Sequence, residues 1–251
     1  VCPAWAITSA GVIDSKCYGC GRCIPVCPYD FIQPRSYITN TEDLLRLIGS
    51  GKVDGIEIHT KEGHEALFQH LWTNIADQVC SHLQVISISF NDMGPNTPSF
   101  LEELQRIMTS SPHFGKFTGT NIWQTDGRSM SGDIGKGTIH EANSLAKQVV
   151  QANVAKKFRN IDFSSQRHFV QLAGGTNIHS MQAARQDLLP SFPGFGGLAF
   201  GGYARRYLTQ KMFDLSQRDP TFRIEDHPGL YQECRDFASR LMRSVKEDTL
   251  P

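Results

Sequence analysis

The stretch Cys17-Tyr18-Gly19-Cys20-Gly21-Arg22-Cys23-Ile24-Pro25-Val26-Cys27-Pro28 constrains this chain more than any other. It reads C-x2-C-x2-C-x3-C-P, the spacing with which bacterial-type ferredoxins hold cubane iron–sulfur clusters. Three thiolates on one tight loop each reach a different iron of a [4Fe–4S] core. The fourth cysteine of such a run points away, to a second cluster. Pro28 closes the loop without leaving a backbone donor unused. A zinc knuckle is the competing reading, but zinc sites pair two C-x2-C units at a distance, and here four cysteines crowd into eleven residues.

Cys2-Pro3 supplies what the loop lacks. It looks like the closing C-P of a partner run, so Cys2, Cys17, Cys20 and Cys23 are expected on one cluster and Cys27 on another. The other three cysteines of that second cluster are expected before Val1. Val1 is not an initiator Met, and the sequence reads as starting within a larger protein.

The remaining composition excludes more than it specifies. The 251 residues carry 25 basic and 25 acidic side chains, which gives no broad attraction to nucleic acid or an anionic membrane. No apolar run is long enough to span a bilayer, so the chain is not expected to be integral to a membrane. Of seven cysteines, only Cys80 and Cys234 lie outside the ligand set, and they read as buried thiols. Thiolate-held metal suits a reducing compartment.

Residues 1–37 form the expected cluster module, with Trp5-Ala6-Ile7 and Gly11-Val12-Ile13 as a short hairpin and Tyr18, Ile24 and Val26 shielding the sulfurs. Residues 38–251 alternate helices and apolar strands. Helices are expected over 39–48 (capped by Thr41), 62–82 (with Leu67, Leu71, Ile75 and Val79 inward), 99–109, 139–152, 180–189 and 230–245. Strands are expected over 53–59, 85–90, 117–124, 169–173 and 198–200. Successive strand–helix units predict a parallel sheet with its ligand loops at the strand C-termini. An open five-stranded sheet and the last five units of an eight-unit barrel both satisfy the pattern.

The last two strand ends favour the barrel. One runs into Gly174-Gly175-Thr176-Asn177, the other into Gly201-Gly202-Tyr203-Ala204-Arg205, with a Pro/Gly-rich loop over 190–197 between the units. Glycines there let backbone N–H groups approach an anion, as at the seventh and eighth strands of many β/α barrels. A phosphate-bearing ligand would then use Gly174, Gly175, Thr176, Gly201, Gly202 and Arg205. The bland alternative is two tight turns. Glu57 and His59 share one face of their strand, and Gln124, Asp126 and Arg128 follow another. The segment 131–137 is not a Walker loop, and neither H-E-x-x-H nor G-x-S-x-G occurs, so no catalytic residue is assigned.

Three further stretches carry a resemblance over essentially the whole chain: Trp123-Gln124-Thr125-Asp126-Gly127-Arg128-Ser129-Met130-Ser131-Gly132-Asp133-Ile134-Gly135-Lys136-Gly137, Gln171-Leu172-Ala173-Gly174-Gly175-Thr176-Asn177 and Ala199-Phe200-Gly201-Gly202-Tyr203-Ala204-Arg205. With the cysteine run, they resemble the light-dependent period protein A family of cyanobacteria, with relatives expected in plastids. The resemblance implies an α/β fold: a partial or split (β/α)8-type barrel with a ferredoxin-like 4Fe-4S module at the N-terminal end of this chain. It also implies two clusters, a redox role linked to light and the circadian clock, protein partners drawn from redox, clock or photosynthetic components, no nucleic acid, and a cytoplasmic (cyanobacterial) or chloroplast stroma location. Two other functions fit the residues. One is a ferredoxin-fed oxidoreductase with a flavin or other phosphate-bearing ligand on the glycine turns and Glu57, His59, Gln124, Asp126 and Arg128 around it. The other is a structural or accessory subunit of a larger photosynthetic or plastid assembly.

Overall fold

A computed structural model describes residues 2, 4–17, 19, 21–35, 40–126, 139–188, 192, 194–218 and 223–246. Near the N-terminus β1 (Ile7–Thr8) and β2 (Gly11–Val12) pair antiparallel, in register Ile7 with Val12. The expected hairpin is therefore present, though only two residues long on each side.

Five parallel strands follow: β3 (Gly55–His59), β4 (Val85–Phe90), β5 (Thr120–Asp126), β6 (His168–Ala173) and β7 (Phe195–Leu198). They sit side by side in chain order. Helices α1 (Thr41–Gly49), α2 (Glu65–His82), α3 (Thr97–Ser110), α4 (Ile139–Val154), α5 (Ser180–Asp187), α6 (Gly202–Arg218) and α7 (Pro228–Lys246) complete the fold. Right-handed crossovers between sequentially ordered strands put the connecting helices on one face. The burial pattern agrees. Ile86, Ile88, Phe90, Trp123, Val170 and Leu172 are aligned neighbours on that face and join one core with Ile75, Leu101, Leu104 and Val149 from the helices. The sheet is open, with β3 and β7 at its edges, and no closed barrel forms among the described residues.

Four local expectations change. The cap of α1 is Asn40, not Thr41: its side chain accepts from the Asp43 N–H at 2.8 Å. In α2, Leu67 lies outside the buried stripe, which is Phe68, Trp72, Ile75, Ala76, Val79 and Cys80. Four-residue steps drift on a 3.6-residue helix, so a line drawn back from Val79 leaves the core by Leu67. Strand β5 starts later than expected because Gly119 passes hard against the Gln84 backbone, where a Cβ would fall 2.1 Å from the carbonyl oxygen. Strand β7 starts inside the Pro/Gly-rich segment, at Phe195, and ends at Leu198, where the expected strand begins. Gly196 allows this, since a Cβ there would sit 2.8 Å from that of Phe169. Low strand propensity is overridden by the need for close backbone approach.

Candidate iron–sulfur site

Cys2, Cys17 and Cys23 line one cavity, together with Ala4, Ala6, Ile7, Val12 and Gly21. The hairpin carries the apolar wall. Trp5 adopts a left-handed backbone, φ +47°, a conformation that costs a non-glycine residue strain. The next N–H, that of Ala6, donates to the Cys2 sulfur at 3.2 Å. On the opposite side the Cys17 N–H donates to the carbonyls of Ile13 and Asp14, both at 3.1 Å, which fixes the entry to the ligand loop. Gly21 takes φ +70° within that loop, so the turn itself requires glycine. Cys20 lies outside the described residues.

The arrangement fits a cluster. An N–H aimed at a sulfur stabilises thiolate charge and tunes a thiolate-bound centre. Among the described residues, no group of three His, Cys, Asp or Glu converges on a point suited to a single metal ion. A cubane spreads its ligands over four irons, so cysteines around a cavity, rather than around a point, are what it needs. The shielding differs from expectation: Ala4, Ala6, Ile7 and Val12 line the cavity, and Val26 does not. Tyr18 lies outside the described residues.

Cys27 does not line this cavity. The Ile32 N–H, followed by those of Tyr29 and Phe31, bonds its sulfur and holds the thiol below its ordinary value, against burial and the Asp30 charge. Cys80 contrasts with it: burial, helped by Asp77, pushes its thiol up to about 11. Cys234 is likewise raised by burial. Both are buried, and neither is prepared to ligate metal.

The module touches the sheet domain through Trp5, whose ring lies 4.5 Å from that of Phe213 on α6. The same residue thus borders the Cys2 hydrogen bond and a helix of the larger domain.

At the sheet, Thr176 is buried and its hydroxyl donates to the Ala199 carbonyl, which ties the β6–α5 turn to the end of β7. The two glycine turns are therefore neighbours. Gly174 and Gly175 have φ of +72° and +65° and make the turn possible. The turn before α5 is tied to itself: Asn177 accepts from the His179 N–H, Ser180 accepts from the Asn177 N–H, and the Ser180 N–H donates to the Asn177 carbonyl. Gly201, Gly202 and Arg205 are exposed, and nothing lies within 4 Å of a Cβ added at either glycine. The first-turn N–H groups of α6 lie beside these exposed glycines, where an anion could meet them. Thr176 has committed its hydroxyl hydrogen elsewhere.

Glu57 and His59 share a face, as their spacing requires, and lie 3.2 Å apart. Gln124 Nε2 donates to Gln171 Oε1 at 3.0 Å. Arg128 and the whole segment 127–138 lie outside the described residues. The sequence reading missed His168. It is buried, accepts from Trp123 Nε1 at 3.3 Å, and burial depresses it to about 4. A lone histidine at a strand start carries no sequence signal of this. Two larger grooves, about 380 and 500 Å³, flank the C-terminal half of α4 and carry no ligating set. No helix among the described residues is long and apolar enough to cross a membrane.

Comparison with known proteins bears on this site directly. The family model for the light dependent period A C-terminal domain matches residues 47–244, and that for the Fe-S cluster-binding domain of the same family matches residues 1–38. Light dependent period A of Synechococcus elongatus is 36% identical over 250 residues, which cover 98% of this chain and 65% of that relative. The chain thus spans about 65% of the relative's length. No solved structure matches.

Proposed function

The chain belongs to the light dependent period A family and carries its iron–sulfur-binding domain, and on that premise we propose that it is a redox relay. Residues 1–37 are the cluster module and 38–251 the platform. Cys2, Cys17, Cys20 and Cys23 hold one [4Fe–4S] cluster, and Cys27 contributes to a second. When bound, such a cluster supplies reversible one-electron transfer. The observation that carries the reading is the cavity walled by Cys2, Cys17 and Cys23 with the Ala6 N–H on the Cys2 sulfur.

The chain's own residues do the rest. Ala6, with Ala4 and Ile7 beside it, limits water at the sulfurs, which sets how easily charge is added. The Ala6 N–H strengthens its bond as negative charge on sulfur rises. Trp5, strained and packed on Phe213, passes that change to α6. Partners of redox, clock or photosynthetic type would read it there, in a cyanobacterial cytoplasm or a chloroplast stroma. The platform is five units of a split (β/α)8-type barrel, a reading supported by sequential strand order and helices on one face.

A second reading has an observation in its favour. The two glycine turns adjoin through Thr176 and Ala199, as a phosphate-bearing cofactor such as a flavin would need, with Gly201, Gly202 and Arg205 at an open helix start. The chain would then be an oxidoreductase fed by its cluster.

Anaerobic protein titrated with dithionite tests the relay. A broad visible band should bleach and return on oxidation, and Cys17→Ser should abolish it. A colourless protein that binds zinc with the same cysteines contradicts it.

A further inference from the structure

Among the described residues, four that are not glycine have positive φ, and Trp5 is the bulkiest of them. A bulky side chain keeps a left-handed backbone only where its surroundings hold it there. The consequence falls on Cys2. The Trp5 N–H donates to the Cys2 carbonyl at 3.4 Å, and the next N–H, that of Ala6, donates to the Cys2 sulfur at 3.2 Å. A left-handed residue in a turn brings successive N–H groups round to one side, which suits an anion. The Ala6 N–H belongs to the peptide between Trp5 and Ala6, so those two backbones aim it. Ala6 has little freedom to compensate: it is 1% exposed, and its carbonyl accepts from the Ile13 N–H at 2.8 Å. The tilt of the donor is therefore set at Trp5. The hold on Trp5 lies outside the module. Its ring rests on Phe213, 4.5 Å between centroids, and Trp5 does not line the cysteine cavity. Phe213 is two positions from Lys211, a rotation of about 200° on a helix, and Lys211 faces α7 through its ion pair with Glu233. Helix α6 thus has α7 on one side and Trp5 on the other.

We propose that Trp5 is a positioning residue for the iron–sulfur site. Phe213 pins its ring, the pinned ring keeps the backbone left-handed, and that backbone aims the Ala6 N–H at the Cys2 sulfur. This rests on the reading that Cys2 ligates a cluster. It adds the reverse direction to the relay: α6 acts on the centre as well as responding to it, as linkage requires of any coupling. An N–H on a ligand sulfur favours the state with more negative charge, so the bond eases the uptake of one electron by the cluster. Withdrawing Phe213 lets Trp5 relax to negative φ, turns the donor off the sulfur and makes reduction harder. A partner that displaces α6 lowers the potential by the same route.

The test is the reduction potential of the anaerobic full chain, read from the visible band as dithionite supplies the electron, in wild type, Phe213→Ala, Trp5→Ala and Trp5→Gly. Phe213→Ala and Trp5→Ala should each disfavour reduction about tenfold, which for one electron lowers the potential by about 59 mV. Trp5→Gly should recover most of that loss, because glycine takes a left-handed backbone without strain. In the Trp5→Gly background, Phe213→Ala should change nothing further. If the ring only kept water from the sulfurs, glycine would uncover them as fully as alanine and the two Trp5 variants would shift alike. That result overturns the proposal, as does an unshifted potential in Phe213→Ala. Phe213 lies outside the module, so this variant carries the test where a Trp5 variant fails to load iron. A second readout does not depend on electron transfer. Trp72 and Trp123 are 1% and 0% exposed against 49% for Trp5, so iodide quenches chiefly Trp5 fluorescence. Phe213→Ala should make that quenching steeper, and unchanged quenching contradicts the pin. Protein without iron and sulfide removes the relay and this assignment together, whereas a cluster-loaded protein with one potential in all variants removes this assignment alone.

Discussion

The first 35 residues and the sheet domain solve the problem of staying folded in opposite ways. Among the described residues of the N-terminal module, one apolar side chain is buried, Ala6, while Trp5, Val12, Val26, Tyr29 and Phe31 are exposed. Its strands are two residues long. The sheet domain buries a continuous core that includes Trp72, Trp123, Phe90 and Phe117 at 2% exposure or less. Apolar burial this sparse does not offset the chain entropy of these described residues, and they need a staple. On the proposed reading the cysteines serve as the module's core, which would put function and folding on the same atoms there and on different atoms in the sheet.

Breaking each region separately sharpens the contrast. The largest effect is expected from Cys23→Ser. It should remove the visible band and make residues 1–35 protease-sensitive, while the helical circular dichroism of the sheet domain and its melting stay near wild type. Joint collapse of both regions would show that the module is not independent. Next is Trp72→Ala, which deletes a buried ring stacked on Phe68 and its bond to the Met108 carbonyl. The sheet domain should lose about 4 kcal/mol in urea unfolding, and the remaining folded protein should keep its colour.

Acid distinguishes the regions in a third way. Folded His168 is held near 4 by burial, below its ordinary 6.5, and its Nδ1 accepts from Trp123. Between those values the unfolded chain takes a proton that the folded chain refuses. Sheet stability should therefore be intact above about pH 6.5 and fall as the pH drops towards 4, by up to about 3 kcal/mol. His168→Asn should flatten that slope. An unchanged slope would remove His168 from the account. The smallest expected effect is Asn40→Ala, about 1 kcal/mol from the lost cap of α1, read as a lower melting temperature with no change in the visible spectrum.

How much of this was legible beforehand follows the same division. The cysteine spacing announced the module's chemistry, because ligand geometry leaves little freedom in sequence. The helix-facing apolar residues, such as Phe100, Leu101, Leu104 and Ile107 of α3, were equally readable, since all four are buried. Strand β7 was not, because its glycines serve contacts with Phe169 that only the fold creates. Asn40 and Thr41 are both good caps, and backbone register alone chose between them. Thr176 looked like a ligand donor, and the loop it ties to β7 is invisible in a linear chain. The pairing of His168 with Trp123, forty-five positions apart, left no local trace.

The account rests on thiolates holding an iron–sulfur centre at the N-terminal cavity. Its most direct test is the amount of iron and acid-labile sulfide in protein prepared without air, alongside the same assay on Cys2→Ser. The account predicts iron and sulfide in equal amounts, with both lost in the variant. Zinc without sulfide, or equal iron and sulfide retained after Cys2 is replaced, would contradict it.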